Sequence, residues 1–66
     1  MEIYSVSEAA KKMKTSNQKI YELIDRKLLE ALRLNSLRVP EYAIEDFFRK
    51  YKFKDLSDLD NIKELK

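Results

Sequence analysis

Two serine residues that can cap helices, Ser5 and Ser16, constrain the fold of this chain more than any other feature. Ser5 opens the sequence Ser-Val-Ser-Glu, a capping box in which the Ser5 hydroxyl accepts from the Glu8 amide and the Glu8 carboxylate reaches back. Ser16 is placed to cap a second helix, which we expect over residues 17–26. A turn of about three or four residues separates the two helices, which is the spacing of a helix-turn-helix.

Apolar residues recur at helical spacing in both segments and predict the faces that pack together. The expected inner face consists of Val6, Ala9, Ala10 and Met13 in the first helix and of Ile20, Leu23 and Ile24 in the second. Three lysines lie outside the inner face of the first segment: Lys11, Lys12 and Lys14. We interpret them as general electrostatic surface.

After the second helix the sequence alternates like a strand. We expect two short strands, 31–34 and 37–39, around a two-residue turn whose first residue, Asn35, tolerates positive φ. Leucine and valine alternate with Arg33 and Arg38, which places both arginines on one side of this hairpin.

Pro40 suits a helix start, and we expect a third helix from Glu41 to about Lys52. Its apolar face comprises Ile44, Phe47, Phe48 and Tyr51. A short last helix can begin after Ser57, with its acidic residues early and its lysines late, as the helix dipole prefers. The apolar residues of this last segment are Leu56, Leu59, Ile62 and Leu65. The predicted fold is mainly α with a small β-hairpin.

Three residue types are absent from the chain: glycine, cysteine and histidine. Without cysteine and histidine, disulfides, thiolate or imidazole metal sites and the catalytic sets built on these groups are excluded. Without glycine, a phosphate-binding glycine loop and a nucleophile elbow are excluded, so we expect neither an enzyme nor a bound cofactor. Positions that need positive φ must fall to other residues, with Asn17, Asn35 and Asn61 as candidates.

The length of 66 residues allows one small domain. The sequence has no run of 18 apolar residues and no basic-then-apolar leader at its start. We therefore expect a soluble intracellular protein without a membrane contact.

Charge is distributed unevenly along the chain. Residues 1–54 hold twelve Lys/Arg against eight Asp/Glu, a net of +4, and residues 55–66 hold two against four, a net of −2, which together give the total of +2. The basic part suits a polyanion, although an ordinary solvated surface has the same composition. We divide the chain into a domain over 1–54 and an acidic tail over 55–66. The apolar stripe of the tail needs a surface, either the third helix of the same chain or a neighbouring molecule.

The order of these elements resembles the excisionase-like winged helix-turn-helix family, which is related to the DNA-binding heads of MerR-type regulators. The residues that carry the resemblance are Tyr4-Ser-Val-Ser-Glu-Ala-Ala10, Met13-Lys-Thr-Ser16, Lys19-Ile-Tyr-Glu-Leu-Ile24, Leu29-Glu-Ala-Leu-Arg-Leu34 and Arg38-Val-Pro40. They span residues 3 to about 49. The family usually has glycine where this chain has Lys14 and often where it has Lys27, and its wing tip usually carries basic residues where this chain has Asn35-Ser36.

The resemblance implies a double-stranded DNA-binding surface, in which the N-terminal half of the second helix enters the major groove. The expected base-reading residues are Asn17, Gln18, Lys19 and Glu22. The expected contacts to the DNA backbone are Thr15, Ser16 and Tyr21, and those of the wing are Arg33, Asn35, Ser36 and Arg38. Structural alternatives stay open: Ser16 also serves as the cap, Tyr21 can pack against the hairpin, and the arginines can be solvated strand residues.

By resemblance, the protein is expected to be an accessory factor that helps a site-specific recombinase to excise a mobile element. Its partners would be double-stranded DNA, an integrase or recombinase, and further copies on adjacent sites, in a prokaryotic cytoplasm at the nucleoid. A small transcriptional regulator on the same fold is the first alternative. A protein-interaction module that does not bind DNA is the second alternative, which the uncharged wing tip and the acidic tail favour.

Overall fold

The structure, a computed structural model, describes residues 2–65. Over these residues the chain forms three helices and two small antiparallel sheets. The helices are α1 (Val6–Lys12), α2 (Asn17–Asp25) and α3 (Glu41–Lys50), and the strands are β1 (Ile3–Ser5), β2 (Leu32–Leu34), β3 (Ser36–Pro40), β4 (Lys54–Asp55) and β5 (Lys63–Glu64). No helix within 2–65 is long and apolar enough to cross a membrane.

Both predicted helix caps are confirmed. The Ser5 hydroxyl accepts from the Glu8 amide at 3.2 Å, and the Glu8 carboxylate accepts from the Ser5 amide at 2.8 Å. The Ser16 hydroxyl accepts from the Lys19 amide at 3.1 Å and begins α2. These bonds satisfy amide groups that a helix start otherwise leaves without partners. Residues within three positions of each cap therefore determine where the helix begins.

Positive φ angles occur where the turns require them. The left-handed residues in the described chain are Lys14, Lys27, Asn35 and Phe53. Asn35 (φ 66°) was predicted, but the predictions for Asn17 and Asn61 are wrong. Lys14 (φ 57°) stands where the resembled family usually has glycine, and Lys27 (φ 59°) stands where it often does. Each lysine there costs about 1–2 kcal/mol, because its Cβ lies close to the following carbonyl.

Strand β1 was not expected from the sequence. The larger sheet has the order β1-β3-β2, so β3 lies in the centre and Tyr4 of β1 pairs with Val39 of β3. The Glu41 amide donates to the Glu2 carbonyl at 2.9 Å, which joins the N-terminus to the start of α3. Val39 is fully buried, so the pairing places the sheet against the core.

The turn between β2 and β3 is tighter than predicted. Leu34 pairs with Ser36, so the loop consists of Asn35 alone and not of Asn35 and Ser36. The left-handed conformation of Asn35 reverses the chain within this single residue. The register of the β2–β3 hairpin is therefore shifted by one residue from the predicted one.

This shift separates the two arginines of the hairpin. Arg33 pairs with Leu37, and Arg38 pairs with Leu32. Side chains alternate between faces along a strand, and paired residues share a face, so Arg33 and Arg38 lie on opposite faces. The prediction that both lie on one side is wrong, because it assumed a two-residue turn.

The predicted last helix does not form. Its segment contains β5, which pairs with the preceding β4 as a short C-terminal hairpin with Lys54 opposite Glu64. The Asp55 carboxylate accepts from the Ser57 amide at 2.9 Å, and the Asp58 carboxylate accepts from the Asp60 amide at 3.1 Å. Such local side-chain bonds to the backbone hold turns and compete with helix formation.

The core combines residues of α1, α2, β3, α3 and the C-terminal segment. Its buried members are Val6, Ala9, Ala10, Ile20, Leu23, Leu29, Val39, Ala43, Ile44, Phe47 and Leu59. Leu59 and the partly buried Leu56 attach the acidic segment to the body, whereas Leu65 is 57% exposed. The tail therefore packs within its own chain rather than leaving its whole apolar stripe exposed.

The inner face of α3 differs from the prediction at one residue. Phe48 is 51% exposed, so its predicted place on this face is wrong.

Candidate nucleic-acid interface

The turn after α1 holds α2 beside it. The Thr15 amide donates to the Ala10 carbonyl at 2.8 Å, and the Lys14 amide donates to the Lys11 carbonyl at 3.2 Å. Ala9 and Ala10 are buried, and their small side chains let α2 approach α1 closely. This packing fixes the direction in which the first turn of α2 projects.

The outer face of α2 carries exposed polar side chains. Asn17 and Gln18 are exposed in its first turn, and the Tyr21 ring is 52% exposed one turn later. The Asn17 amide group donates to the Ser7 hydroxyl at 3.1 Å, and the Gln18 amide group donates to the Glu22 carboxylate at 3.4 Å. Each amide has two N–H donors and one carbonyl oxygen, so both side chains keep groups for a further partner.

A shallow groove of about 700 Å³ separates α2 from the β2–β3 hairpin. The residues that line it include Gln18, Tyr21, Glu22, Arg26, Arg33 and Leu37. A smaller recess adjoins it at Tyr21 and Leu37 and is lined also by Asn17 and Ser36. Six of the predicted site residues therefore border one continuous surface: Asn17, Gln18, Tyr21, Glu22, Arg33 and Ser36.

The other predicted residues lie elsewhere. Lys19 is half-buried and donates from its ammonium to the Leu56 carbonyl at 3.1 Å. Thr15 lines a separate recess with Lys19, between α2, α3 and the C-terminal segment. Arg38 is on the hairpin face opposite Arg33, and Asn35 forms the exposed hairpin tip. The Ser16 hydroxyl is occupied by the helix cap.

An ion pair at the end of α2 was missed by the sequence analysis. Arg26 donates to Asp60 through Nε at 2.9 Å and through Nη2 at 3.3 Å. The hydrogen bond and the charge of Arg26 lower the pKa of the Asp60 carboxyl, and Asp60 in turn raises the pKa of Arg26. The two residues are 34 positions apart, and no sequence pattern indicates that the C-terminal segment returns to α2.

The charge of α2 itself is slightly acidic. The helix contains Lys19, Glu22 and Asp25, which give one positive and two negative charges. Attraction to a polyanion must therefore come from neighbouring elements, such as Lys14 in the turn and Arg33 in the hairpin. The exposed face of α2 is suited to selective hydrogen bonding more than to general phosphate binding.

Comparison with known proteins agrees with this geometry. A family model described as a helix-turn-helix domain matches residues 3–52, which include α1, α2, the β2–β3 hairpin and α3. The search of curated proteins and the search of solved structures gave no significant match. Helix-turn-helix domains of this kind bind DNA and are typically non-enzymatic. The chain belongs to the helix-turn-helix domain family that excisionase-like DNA-binding proteins typify.

Proposed function

We propose that this protein recognises a specific double-stranded DNA site, with the first turn of α2 in the major groove and the β2–β3 hairpin beside it. The observation that supports this most directly is the shared recess in which Ser36 of the hairpin lies next to Asn17 and Tyr21 of α2. A duplex that receives α2 in its major groove would bring its backbone to the hairpin.

The side chains on this surface match the chemistry of base edges. Asn17 and Gln18 have the donor and acceptor pair that binds adenine in the major groove. Glu22 can accept from the N4 amino group of cytosine once Gln18 releases it. Tyr21 and Ser36 carry hydroxyls, which suit phosphate oxygens.

The charged residues around α2 would supply the affinity that does not depend on sequence. Arg33 borders the groove and is placed for the DNA backbone or the neighbouring minor groove. Arg38, Asn35 and Thr15 would contact DNA only where the duplex extends past the groove. Lys19 would first have to leave the Leu56 carbonyl to reach a phosphate.

We further propose that the protein is an excisionase-like accessory factor, which binds DNA so that a site-specific recombinase excises a mobile element. The family membership supports this role. Single DNA-binding modules cover only about 600–1,000 Å² of protein surface, so useful affinity calls for several copies on adjacent sites or a recombinase partner. The proposed setting is the nucleoid in a prokaryotic cytoplasm. A small transcriptional regulator would use the same surface.

A protein-interaction module is the second candidate function. The acidic residues Glu22 and Asp25 on α2 and the uncharged tip at Asn35 are the observations in favour of this second candidate. A salt series with duplex DNA separates the two, because DNA binders lose affinity steeply as salt rises. Affinity that falls with a slope of several units supports DNA binding, and no binding even at low salt supports the interaction module.

Footprinting on DNA around the protein's own gene, with and without a neighbouring integrase, tests the recombination role. We expect a protected site within the element's end, and stronger integrase protection when both proteins are present. Protection confined to a promoter, unchanged by the integrase, would instead support the transcriptional regulator.

A further inference from the structure

The C-terminal segment binds both positively charged residues on one flank of α2. Lys19 donates to the Leu56 carbonyl, and Arg26 forms its two hydrogen bonds with Asp60. Lys19 and Arg26 are seven positions apart, so they lie on the same face, about 10.5 Å apart along the helix axis. The segment thus follows α2 over two turns and bonds to both of these cations.

Arg26 is also close to the proposed DNA-binding surface. It borders the groove between α2 and the β2–β3 hairpin, together with Gln18 and Arg33. The other charged residues that α2 contributes to this groove are Glu22 and Asp25, which are both acidic. An Arg26 side chain released from Asp60 would therefore add a positive charge at the end of α2, where the charged residues that the helix itself contributes to the groove are acidic.

We propose that Asp60 is a positioning residue that holds Arg26 away from DNA phosphates and so limits the affinity of the protein for DNA of any sequence. This inference rests on the proposed DNA-binding function. While Arg26 is bonded to Asp60, α2 contacts the bases, and the elements on either side of α2 bind the phosphates. A partner that takes hold of residues 56–60 would release Arg26 and strengthen DNA binding.

The stability of the fold depends little on the ion pair between Arg26 and Asp60. The Asp60 side chain is 76% exposed, and exposed ion pairs add little to folding free energy. Attachment of the segment comes from Leu59, which is buried in the core, and from Leu56, which packs against it. Asp60→Asn keeps the size of the side chain and is expected to leave the fold intact.

The experiment measures the affinity of the full chain for a random-sequence duplex by fluorescence anisotropy, over a range of salt concentrations. Each phosphate contact adds about 0.9 to the slope of log K against log salt. For Asp60→Asn we therefore expect a slope steeper by about one and up to about eightfold tighter binding at 0.1 M salt.

Two variants serve as controls. Glu64→Gln removes an equal charge from the same segment and releases Lys54, its partner in the β4–β5 hairpin, rather than a residue that borders the groove. It should change affinity less than twofold. The double variant Arg26→Gln with Asp60→Asn should return to the wild-type slope, because the released cation is gone.

Each of four results would overturn the proposal. Weaker binding by Asp60→Asn, in a variant that melts like the wild type, would mean that Asp60 orients Arg26 onto DNA. A gain that persists in the double variant, or an equal gain in Glu64→Gln, would reduce the effect to net charge. Absence of binding by the wild type to any duplex would reject the proposed function itself, and with it this inference.

Discussion

Arg33 and Arg38 lie on opposite faces of the β2–β3 hairpin, although only four residues separate them. Arg33 shares its face with Leu37 and borders the groove beside α2. Arg38 pairs with Ser5 of β1 on its other side, near the start of α1. The two arginines are therefore expected to differ in their effect on DNA binding.

Arg33→Ala should weaken binding to all sequences and make the salt dependence shallower by about one unit, because one phosphate contact is lost. Arg38→Ala is the matched control, with the same change of charge on the other face, and should leave the slope nearly unchanged. Salt titrations of both variants on one duplex provide the comparison. Equal slopes for the two variants would show that the face on which an arginine lies does not determine whether it contacts DNA.

Leu59→Ala should lower the free energy of unfolding by about 2–4 kcal/mol, because it leaves a cavity where the C-terminal segment meets the core. Leu65→Ala, at a side chain that is 57% exposed, should cost less than about 0.5 kcal/mol. Urea denaturation of both variants checks this difference. Deletion of residues 55–66 should destabilise the chain at least as much as Leu59→Ala, and a deletion variant of unchanged stability would show that the segment is an appendage.

Lys27→Gly should raise the free energy of unfolding by up to about 1 kcal/mol. Glycine removes the left-handed strain at Lys27, and this gain exceeds the added entropy of the unfolded chain. Lys11→Gly changes the charge equally but lies inside α1, where glycine should cost about 1 kcal/mol. Thermal melts of the two variants should therefore shift in opposite directions, and a loss of stability in both would contradict the strain argument.

The capping box should contribute to stability at neutral pH and lose this contribution in acid. Hydrogen bonding from the Ser5 backbone amide, and next from the Ser5 side chain, lowers the pKa of Glu8. The stability that this bonding contributes is therefore present above the unfolded pKa of Glu8 and is lost as pH falls through its folded pKa. The melting temperature of the wild type should exceed that of Glu8→Gln at pH 7, and the gap should narrow as pH falls below the unfolded pKa of glutamate, about 4.3. Because the chain has no histidine, we expect little change between pH 5 and 8. A gap that stays constant down to pH 2 would contradict this account.

Local signals allowed the sequence to predict the helix-turn-helix. The caps at Ser5 and Ser16 and the stripe of Ile20 and Leu23 depend on neighbours within one or two turns. Strand β1 depends instead on β3, more than thirty positions away, and its three residues carry too little pattern to predict that pairing. The prediction of a last helix failed because Asp55 and Asp58 bond to nearby amides in turns.

The candidate site was also predicted only in part, because local spacing places some of its side chains and tertiary contacts or strand register place the others. Helical spacing places Asn17 and Gln18 on the outside of α2, and they border the groove as expected. Lys19 follows them directly, but its side chain is bound by the Leu56 carbonyl, a contact that depends on how the C-terminal segment returns. The opposed arginines depend on a single-residue loop at Asn35, and a one-residue change of register moves a side chain to the other face.

The central claim is that the first turn of α2 reads DNA sequence, and the most direct test compares Gln18→Ala with the wild type on two duplexes. One duplex carries the preferred site, selected from a random pool with the wild-type protein, and the other is a random sequence. We predict a loss of about 1–3 kcal/mol on the selected site and little loss on the random duplex, with Asn17→Ala behaving alike. Equal losses on both duplexes, or a selection that yields no preferred site, would contradict the claim.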